Sequence, residues 1–389
     1  MNKRSVRDLD AQGKRVLVRV DFNVPVKDGG VTDDTRIRRA LPTIRHLLSE
    51  GARPALISHL GRPKGEPDPK YAMDPVARRL EELLGEPVTK LDTATGPEVG
   101  NALDGLDGGV VLLENSRFYP GETKNDAGFA EELAAPFELY VNDAFGAAHR
   151  AHATTVGVAE RLPSAAGLLM EAEIDYLDGV LKDPRRPFVA ILGGAKVSDK
   201  LGVIESLLGV ADSLLVGGAM CFTFFRSQGY EIGNSLVEDD YVEEAKRLMD
   251  AAGERLVLPV DVVVAGEMEE GAETETVPVD AIPSGKMGLD IGPGSVEAFS
   301  GEISGASTIF WNGPMGVFEI DAFAKGTEGV AKAVADSGAT SVVGGGDSVA
   351  AVNKLGLEDE MSHISTGGGA SLEYVEGKEL PGVAVLPGK

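Results

Sequence analysis

Two groups of residues in this chain have the type and spacing for phosphate chemistry. The first is LGGAKVSDK, Leu192 to Lys200, which sets Lys196 and Lys200 four residues apart. PFVAIL just upstream is a short apolar run ending in glycine and predicts a buried strand. SDKLGVIESLLG downstream opens on a capping-type serine, Ser198, and repeats its apolar residues at helical spacing. On that pattern both lysines fall on one face of the first helical turns. Two cations there oppose the helix macrodipole unless an anion sits between them. Gly193 and Gly194 would let the backbone approach a ligand, and a helix N-terminus favours anions. Phosphate binding and a pair of solvated surface lysines are the two readings of this stretch taken alone.

The second group is basic and lies in the other half. Arg19, Arg36, His59, Arg62, Arg117 and Arg150 sit in or beside RVDFNVP, SHLGRP, ENSRF and NDAFGAAHRAH. Arginine keeps its charge and binds carboxylate or phosphate through two parallel hydrogen bonds. Any one of these arginines reads as a surface salt bridge; together, at consecutive strand ends, they predict an anion pocket. Asp21 and Asn23 add acceptors and donors suited to a substrate hydroxyl. His149 and His152 flank Arg150 and are assigned no chemistry.

The second half is glycine-rich without the usual nucleotide fingerprints. Neither GxxxxGK[ST] nor GxGxxG occurs, so a P-loop NTPase and a dinucleotide enzyme are disfavoured. GGGDS (Gly344 to Ser348) and STGGGAS (Ser365 to Ser371) sit between strand and helix patterns, where backbone N–H groups can cradle phosphate. Asp347 reads either as a helix N-cap or as a carboxylate for Mg²⁺ carried by a nucleotide. Glu319 could accept from a ribose hydroxyl. GGAMCFTFF offers a flat wall for adenine or is simply a buried core helix.

Strands and helices must position these loops, and they alternate along the chain. RVLVRV (15–20), RPALIS (53–58), GVVLLE (109–114) and FELYVN (137–142) read as strands, as do PFVAIL, DSLLVG, STIFWN, TSVVGG and SHIST later. DDTRIRRALPTIRHLLSEG, DPVARRLEELLG and NDAGFAEELAA read as helices, with Asp74 and Pro75 as an N-cap and first helical residue and Gly85 as a C-cap. Apolar strands without clean alternation, separated by helices, indicate parallel sheets covered on both faces. The fold class is α/β: two doubly wound parallel-sheet (Rossmann-like) domains joined by a hinge helix. LLMEAEIDYLDGVLKDPRRP supplies that connector, with the break in residues 165–186. Nearly every strand ends in a polar or glycine-rich loop, the edge where open parallel sheets bind ligands.

Length and composition agree. A chain of 389 residues favours two domains. No apolar run reaches membrane-spanning length, and MNKRSVRDLDAQGK lacks the apolar core of a signal peptide. The single cysteine, Cys221, fits a reducing cytoplasm. Few histidines and no HExxH or CxxC spacing argue against a protein-ligated zinc. The net charge is −25, with 62 acidic against 37 basic residues, which disfavours nucleic acid as a partner. Acid spread over RRLEELLGE, LVEDDYVEEAKRLMD and AGEMEEGAETE reads as solvated helix faces, and its excess suggests adaptation to high salt. An ordinary acidic protein is the alternative.

Ten motifs, RVDFNVP, DDTRI, SHLGRP, LENSRF, DAFGAAHRAHAT, LGGAKVSDK, VGGAM, WNGPMGVFE, GGGDS and STGGGASLE, together resemble the phosphoglycerate kinase family in its order, from residue 19 to residue 373. The resemblance implies reversible phosphoryl transfer from 1,3-bisphosphoglycerate to Mg-ADP, giving 3-phosphoglycerate and ATP. It implies a phosphoglycerate-binding domain over 1–168, a connecting helix and hinge over 169–186, a nucleotide-binding domain over 187–373, and a segment 374–389 packing back on the first domain. It places the phosphoglycerate on Asp21, Phe22, Asn23, Arg36, His59, Leu60, Gly61, Arg62, Arg117 and Arg150. It places the nucleotide on Gly194, Lys196, Lys200, Gly217, Gly218, Gly292, Asn312, Glu319, Gly344, Gly345, Gly346, Asp347, Ser348 and Thr366. Arg36 and Lys196, with N–H groups of Gly367 and Gly368, would stabilise the moving phosphoryl group. Ser348 replaces a common threonine and Thr154 a common serine, so both hydroxyls are kept. A monomer acting on small molecules, with no membrane or nucleic-acid partner, is expected. A dehydrogenase fits less well because GxGxxG is missing, and a non-catalytic nucleotide-binding relative would have lost Lys196 or Arg36.

Overall fold

The computed structural model describes residues 2–389 and divides into two compact units, Met1–Asp175 with Glu379–Lys389, and Tyr176–Lys378. In the first unit the strands are β1 Arg15–Arg19, β2 Val26–Lys27, β3 Gly30–Val31, β4 Arg53–Ile57, β5 Val88–Lys90, β6 Val110–Leu112, β7 Leu139–Asn142 and β8 Ser164–Ala166. The helices around them are α1 Thr35–Ser49, α2 Asp74–Leu84, α3 Pro97–Asp104 and α4 Ala127–Ala134. Six strands form one parallel sheet in the order β5-β6-β4-β1-β7-β8.

Alternation along β1 shows why helices cover both faces. Val16 and Val18 bury with Ile37, Ile44, Val76 and Leu80 of α1 and α2, while Leu17 buries with Val99, Leu103, Phe129 and Leu133 of α3 and α4. A strand apolar on both sides carries no period-2 polar signal, hence the continuous apolar run in the sequence.

The helix α5, Leu168–Leu181, begins in the first unit and ends in the second. Residues 182–187, KDPRRP, follow it as a proline-containing turn, as the connector pattern suggested. The second unit holds β9 Phe188–Leu192, α6 Leu201–Leu208, β10 Ser213–Val216, α7 Cys221–Ser227, α8 Val242–Ala252, β11 Leu256–Val257, β12 Asp261–Ala265, β13 Thr274–Pro278 and β14 Met287–Ile291. It continues through α9 Pro293–Ser304, β15 Thr308–Asn312, α10 Lys325–Asp336, β16 Thr340–Gly344, α11 Gly346–Leu355, β17 His363–Ile364 and α12 Gly369–Val375; α13, Pro381–Ala384, belongs to the first unit. Its parallel sheet runs β11-β10-β9-β15-β16-β17.

Register aligns the functional strand ends. Arg19 lies opposite Ile57 and Asn142 in the first sheet. Leu192 lies opposite Val216 and Asn312, and Asn312 opposite Gly344, in the second. Loops that leave these positions therefore start side by side.

Several elements differ from the sequence expectation. The antiparallel sheet β13-β12-β14 was not anticipated. β13, TETVP, has one buried residue in five and so lacks an apolar pattern. The acidic AGEMEEGAETE is the connection between β12 and β13, not a helix face. Short β5 and β8 and the β2–β3 hairpin also lack apolar runs. Met73 is the N-cap of α2, so Asp74 and Pro75 are its first two residues; Gly85 closes it in the left-handed conformation, φ 76°.

Candidate active site

The residues expected to form an anion pocket lie in the first unit, at the end of β1, at the start of α1 and on the loops after β1, β4, β6 and β7. Arg19, only 1% exposed, donates from Nε to Thr154 Oγ1 at 2.9 Å and from Nη2 to His59 Nδ1 at 3.0 Å. A guanidinium only donates, so Nδ1 of His59 accepts and the ring proton sits on Nε2. Burial, reinforced by Arg19, Arg117 and Arg36 and opposed by Asp21, pushes His59 down to about 3. The imidazole is neutral at physiological pH and presents an N–H donor rather than a charge.

Asp21 is the carboxylate among these cations. Burial raises its pKa, but the charges of Arg36 and Arg19 and the Asn23 N–H outweigh it and hold the carboxyl below its usual range. Arg36 Nη1 donates to Asp21 Oδ2 at 2.9 Å. Asn23 Oδ1 accepts from Gly61 N at 2.8 Å, and Arg117 Nη1 donates to Gly61 O at 2.7 Å. Arg117 keeps a buried Nε without a partner among the described residues. Burial and neighbouring Arg19 and Arg62, against Glu122, lower its pKa. The exposed guanidinium groups of Arg62 and Arg150 form no hydrogen bond or ion pair among the described residues. Phe22 and Leu60 are buried, so backbone is what they offer at these turns. Burial first, then Arg19, Arg117, Arg150 and His149, push His152 down to about 4.

In the second unit a cavity of about 540 Å³ opens beside the ends of β9, β10, β14 and β15. Phe222, Met287, Leu289, Met315 and Val317 give it apolar walls, and Gly194, Gly218, Glu319 and Asp347 join its lining. In GGAMCFTFF, Phe224 and Phe225 are core, as the buried-helix reading expects, while Cys221 and Phe222 also line the cavity. Gly218 has φ +68°, and a Cβ there would lie 2.5 Å from Gly194 N. Gly193 similarly meets Pro314 O at 2.0 Å. These glycines let three strand-end loops pack on one another, which is a different role from the ligand approach expected of Gly193.

The two lysines are not on a helix. α6 begins at Leu201 with Lys200 as its N-cap, and Lys196 lies in the preceding loop, exposed and without hydrogen bond or ion pair among the described residues. Ser198 does not cap: its Oγ donates to Glu238 Oε1 at 2.5 Å. Lys200 donates to Asn312 Oδ1, and burial lowers its pKa against the pull of Asp347, Asp199 and Glu376. Asn312 Nδ2 is buried without a partner among the described residues. A Cβ on Gly345, φ +90°, would sit 2.7 Å from that nitrogen.

Asp347 lies in the first turn of α11 and makes no capping bond; the N-cap is Gly345. Its carboxylate is exposed, lines the cavity and makes no hydrogen bond or direct ion pair among the described residues, though its charge reaches Lys200. A single carboxylate beside bound phosphates is how Mg²⁺ is usually held. The apolar walls, the Asn312 Nδ2 without a partner among the described residues and the exposed Asp347 carboxylate all fit a magnesium nucleotide.

Some predicted residues take other places. Ser348 Oγ accepts from Gly313 N at 2.6 Å and is fully buried, so its hydroxyl is structural here. Gly217 packs behind Met315, where a Cβ would meet its sulfur at 2.4 Å. Gly367 N–H is given to Ser365 Oγ at 3.2 Å, which leaves Gly368 as the donor of that pair. Gly292 is the N-cap of α9 and faces Asp261, away from the cavity. Gly288 to Ile291, earlier on the same strand, line the cavity instead. Gly292 lies just beyond β14, where the chain turns into α9, and a motif cannot show that.

A profile of the phosphoglycerate kinase family matches residues 6–378. The phosphoglycerate kinase of Rubrobacter xylanophilus is 81% identical over 387 residues, covering 100% of this chain and 99% of that protein. That of Thermosipho africanus is 56% identical over 397 residues, with 100% and 99% covered. Among solved structures, phosphoglycerate kinase from Coxiella burnetii superposes with a TM-score of 0.89 at 42% identity, covering 98% of each chain. The enzyme from Pyrococcus horikoshii OT3 gives 0.85 at 35%, again over 98% of each.

Proposed function

The chain belongs to the phosphoglycerate kinase family, and we propose from its two sites how it performs that family's reversible transfer between 1,3-bisphosphoglycerate plus ADP and 3-phosphoglycerate plus ATP. The observation that carries the reading is the cavity of the second unit. It combines base-sized apolar walls with strand-end glycines and the exposed Asp347. The arginine pocket of the first unit supplies the complementary anion site.

In the direction of ATP use, a carboxylate oxygen of 3-phosphoglycerate attacks the γ-phosphorus, the bond to the bridging oxygen breaks, and ADP leaves. A carboxylate is already ionised at neutral pH, so no general base is required, consistent with a His59 that is held neutral. The demand is for positioning and neutralisation of charge on the transferred group. Arg36, Arg62, Arg117 and Arg150 hold the phosphoglycerate, with Asp21 and Asn23 for its hydroxyl. Arg36 shares its guanidinium between Asp21 and the incoming oxygens. Lys196, unpaired in this structure, is free to meet the equatorial oxygens, and Gly368 N–H adds a donor. Lys200 and Asn312 hold phosphate oxygens, and Glu319 takes the ribose. Asp347 would hold Mg²⁺, which when bound neutralises phosphate charge.

Ligands held on separate units must be brought within bonding reach and kept from water. We assign that step to hinge bending at α5; X-ray scattering that shows no compaction with both ligands present would exclude it. A salt-adapted monomer in a reducing cytoplasm completes the proposal.

The test is a coupled assay with 3-phosphoglycerate and Mg-ATP on Lys196→Ala. Binding of both substrates should persist while turnover falls by about 10²–10³-fold, the usual cost of one transition-state donor. Undiminished turnover removes Lys196 from the mechanism.

A further inference from the structure

The loops that carry the phosphoglycerate residues depend on one buried amide outside the set named above. Asn115 is 0% exposed. Its Oδ1 accepts from Leu60 N at 3.2 Å and from Arg117 N at 3.0 Å. Its Nδ2 donates to Leu60 O at 2.8 Å and to Tyr71 O at 2.9 Å. An amide side chain has two acceptor and two donor positions, and all four are used within the protein. None remains for a ligand.

The four bonds join three separate pieces of chain. They are the SHLGRP turn after β4, the ENSRF turn after β6, and the turn ending at Tyr71. Both polar atoms of the Leu60 backbone are held. The next residue, Gly61, gives its N–H to Asn23 and takes the Arg117 guanidinium on its carbonyl. The Arg117 backbone is held by Asn115 as well. Asn115 thus fixes both ends of the Arg117–Gly61 contact.

Asn115 is itself braced. Its N–H donates to Glu114 Oε1 at 2.8 Å, and the same oxygen accepts from Met73 N at 3.0 Å. Glu114 Oε2 pairs with Lys90 at 2.7 Å. A side chain locked at every polar atom, behind a turn whose arginines must hold a defined geometry, has the character of an outer-shell support.

We propose that Asn115 is a positioning residue for phosphoglycerate: it sets the Leu60–Gly61 turn and the Arg117 backbone so that His59, Arg62 and Arg117 meet the substrate together. The inference rests on the reading of the arginine pocket as the phosphoglycerate site. Asn115→Asp keeps the shape but turns two donors into acceptors facing the Leu60 and Tyr71 carbonyls. Asn115→Ser leaves a small polar group and a milder defect.

The experiment is full steady-state kinetics of both variants, with Arg62→Ala in parallel. The expected result for Asn115→Asp and Asn115→Ser is a KM for 3-phosphoglycerate raised by about tenfold or more, the usual scale for loss of an outer-shell partner. The KM for Mg-ATP should stay within about twofold, because the nucleotide cavity lies in the other unit. A merely structural role would lower the active fraction, and hence apparent kcat, and leave both KM values in place; that result overturns the proposal. Equal rises in both KM values overturn it too. If Asn115→Asp does not fold, the split in Asn115→Ser decides. Arg62→Ala separates the two levels: an unchanged phosphoglycerate KM there refutes the pocket itself, whereas a raised one with unchanged Asn115 variants refutes only the role of Asn115.

Discussion

His59 shows how a residue in a cationic pocket can serve by staying uncharged. Burial and three arginines hold it at about 3, so an NMR titration should show a neutral imidazole with the Nε2–H tautomer throughout pH 5–8. A midpoint near 6.5 would contradict the buried Arg19–His59 contact. Asp143 is the opposite case. Its Oδ1 accepts from Leu169 N at 2.9 Å and Met170 N at 3.2 Å at the start of α5, while Oδ2 is buried without a partner among the described residues. Burial pushes the carboxyl up to about 7 despite hydrogen bonds from Thr43 and those two N–H groups. Because the folded pKa exceeds the unfolded one, this group's contribution to stability is complete below about pH 4 and is lost as pH rises through about 7. Asp143→Asn removes that titration. The dependence of unfolding free energy on pH between 4 and 7 should change by up to about 1.4 kcal/mol per pH unit, with the variant less weakened as pH rises. An unchanged slope in denaturant melts would show that Asp143 does not titrate there.

At the scale of elements, the second site is a stack of strand-end turns. Val216, Leu192, Asn312 and Gly344 share one row of the sheet, and the turns after the first three touch backbone to backbone. Gly218→Ala places a methyl 2.5 Å from Gly194 N at φ +68°. It should cost about 2 kcal/mol or more through strain and displacement of the turn. Calorimetric titration should then find Mg-nucleotide binding sharply weakened and 3-phosphoglycerate binding intact; equal loss of both would mean that the two units do not respond independently. The strands of this stack were legible because buried parallel strands are continuous apolar runs. The β13-β12-β14 sheet was not, because its outer strand TETVP is charged and mostly exposed. The start of α6 was misplaced because Ser198 resembles a cap, yet bonds Glu238 from another part of the chain.

For the whole molecule the governing quantity is charge. At −25 over 389 residues, self-repulsion opposes the compact state, and most of the ion pairs are exposed and contribute little each. Salt screens that repulsion. Activity and melting temperature should both rise from low salt toward molar KCl. Activity that falls steadily over the same range would refute salt adaptation and leave the kinase chemistry untouched. The C-terminal segment is tied to the first unit by Gly382 N to Ala148 O at 2.8 Å and Asn142 Nδ2 to Gly382 O at 3.1 Å. It braces the loop that carries Arg150.

The sequence alone determined the α/β class, the parallel sheets and the family, because these depend on residue type and order: apolar runs, turn glycines and ten motifs in series. Only the tertiary structure decided what each residue does within a motif. It turned Gly292 away from the cavity and Gly288 toward it, left Asp347 exposed, took up the Ser348 hydroxyl, kept His59 neutral and joined three loops on Asn115. Those outcomes follow from side-chain direction, burial and partners contributed by distant parts of the chain, which linear spacing does not encode.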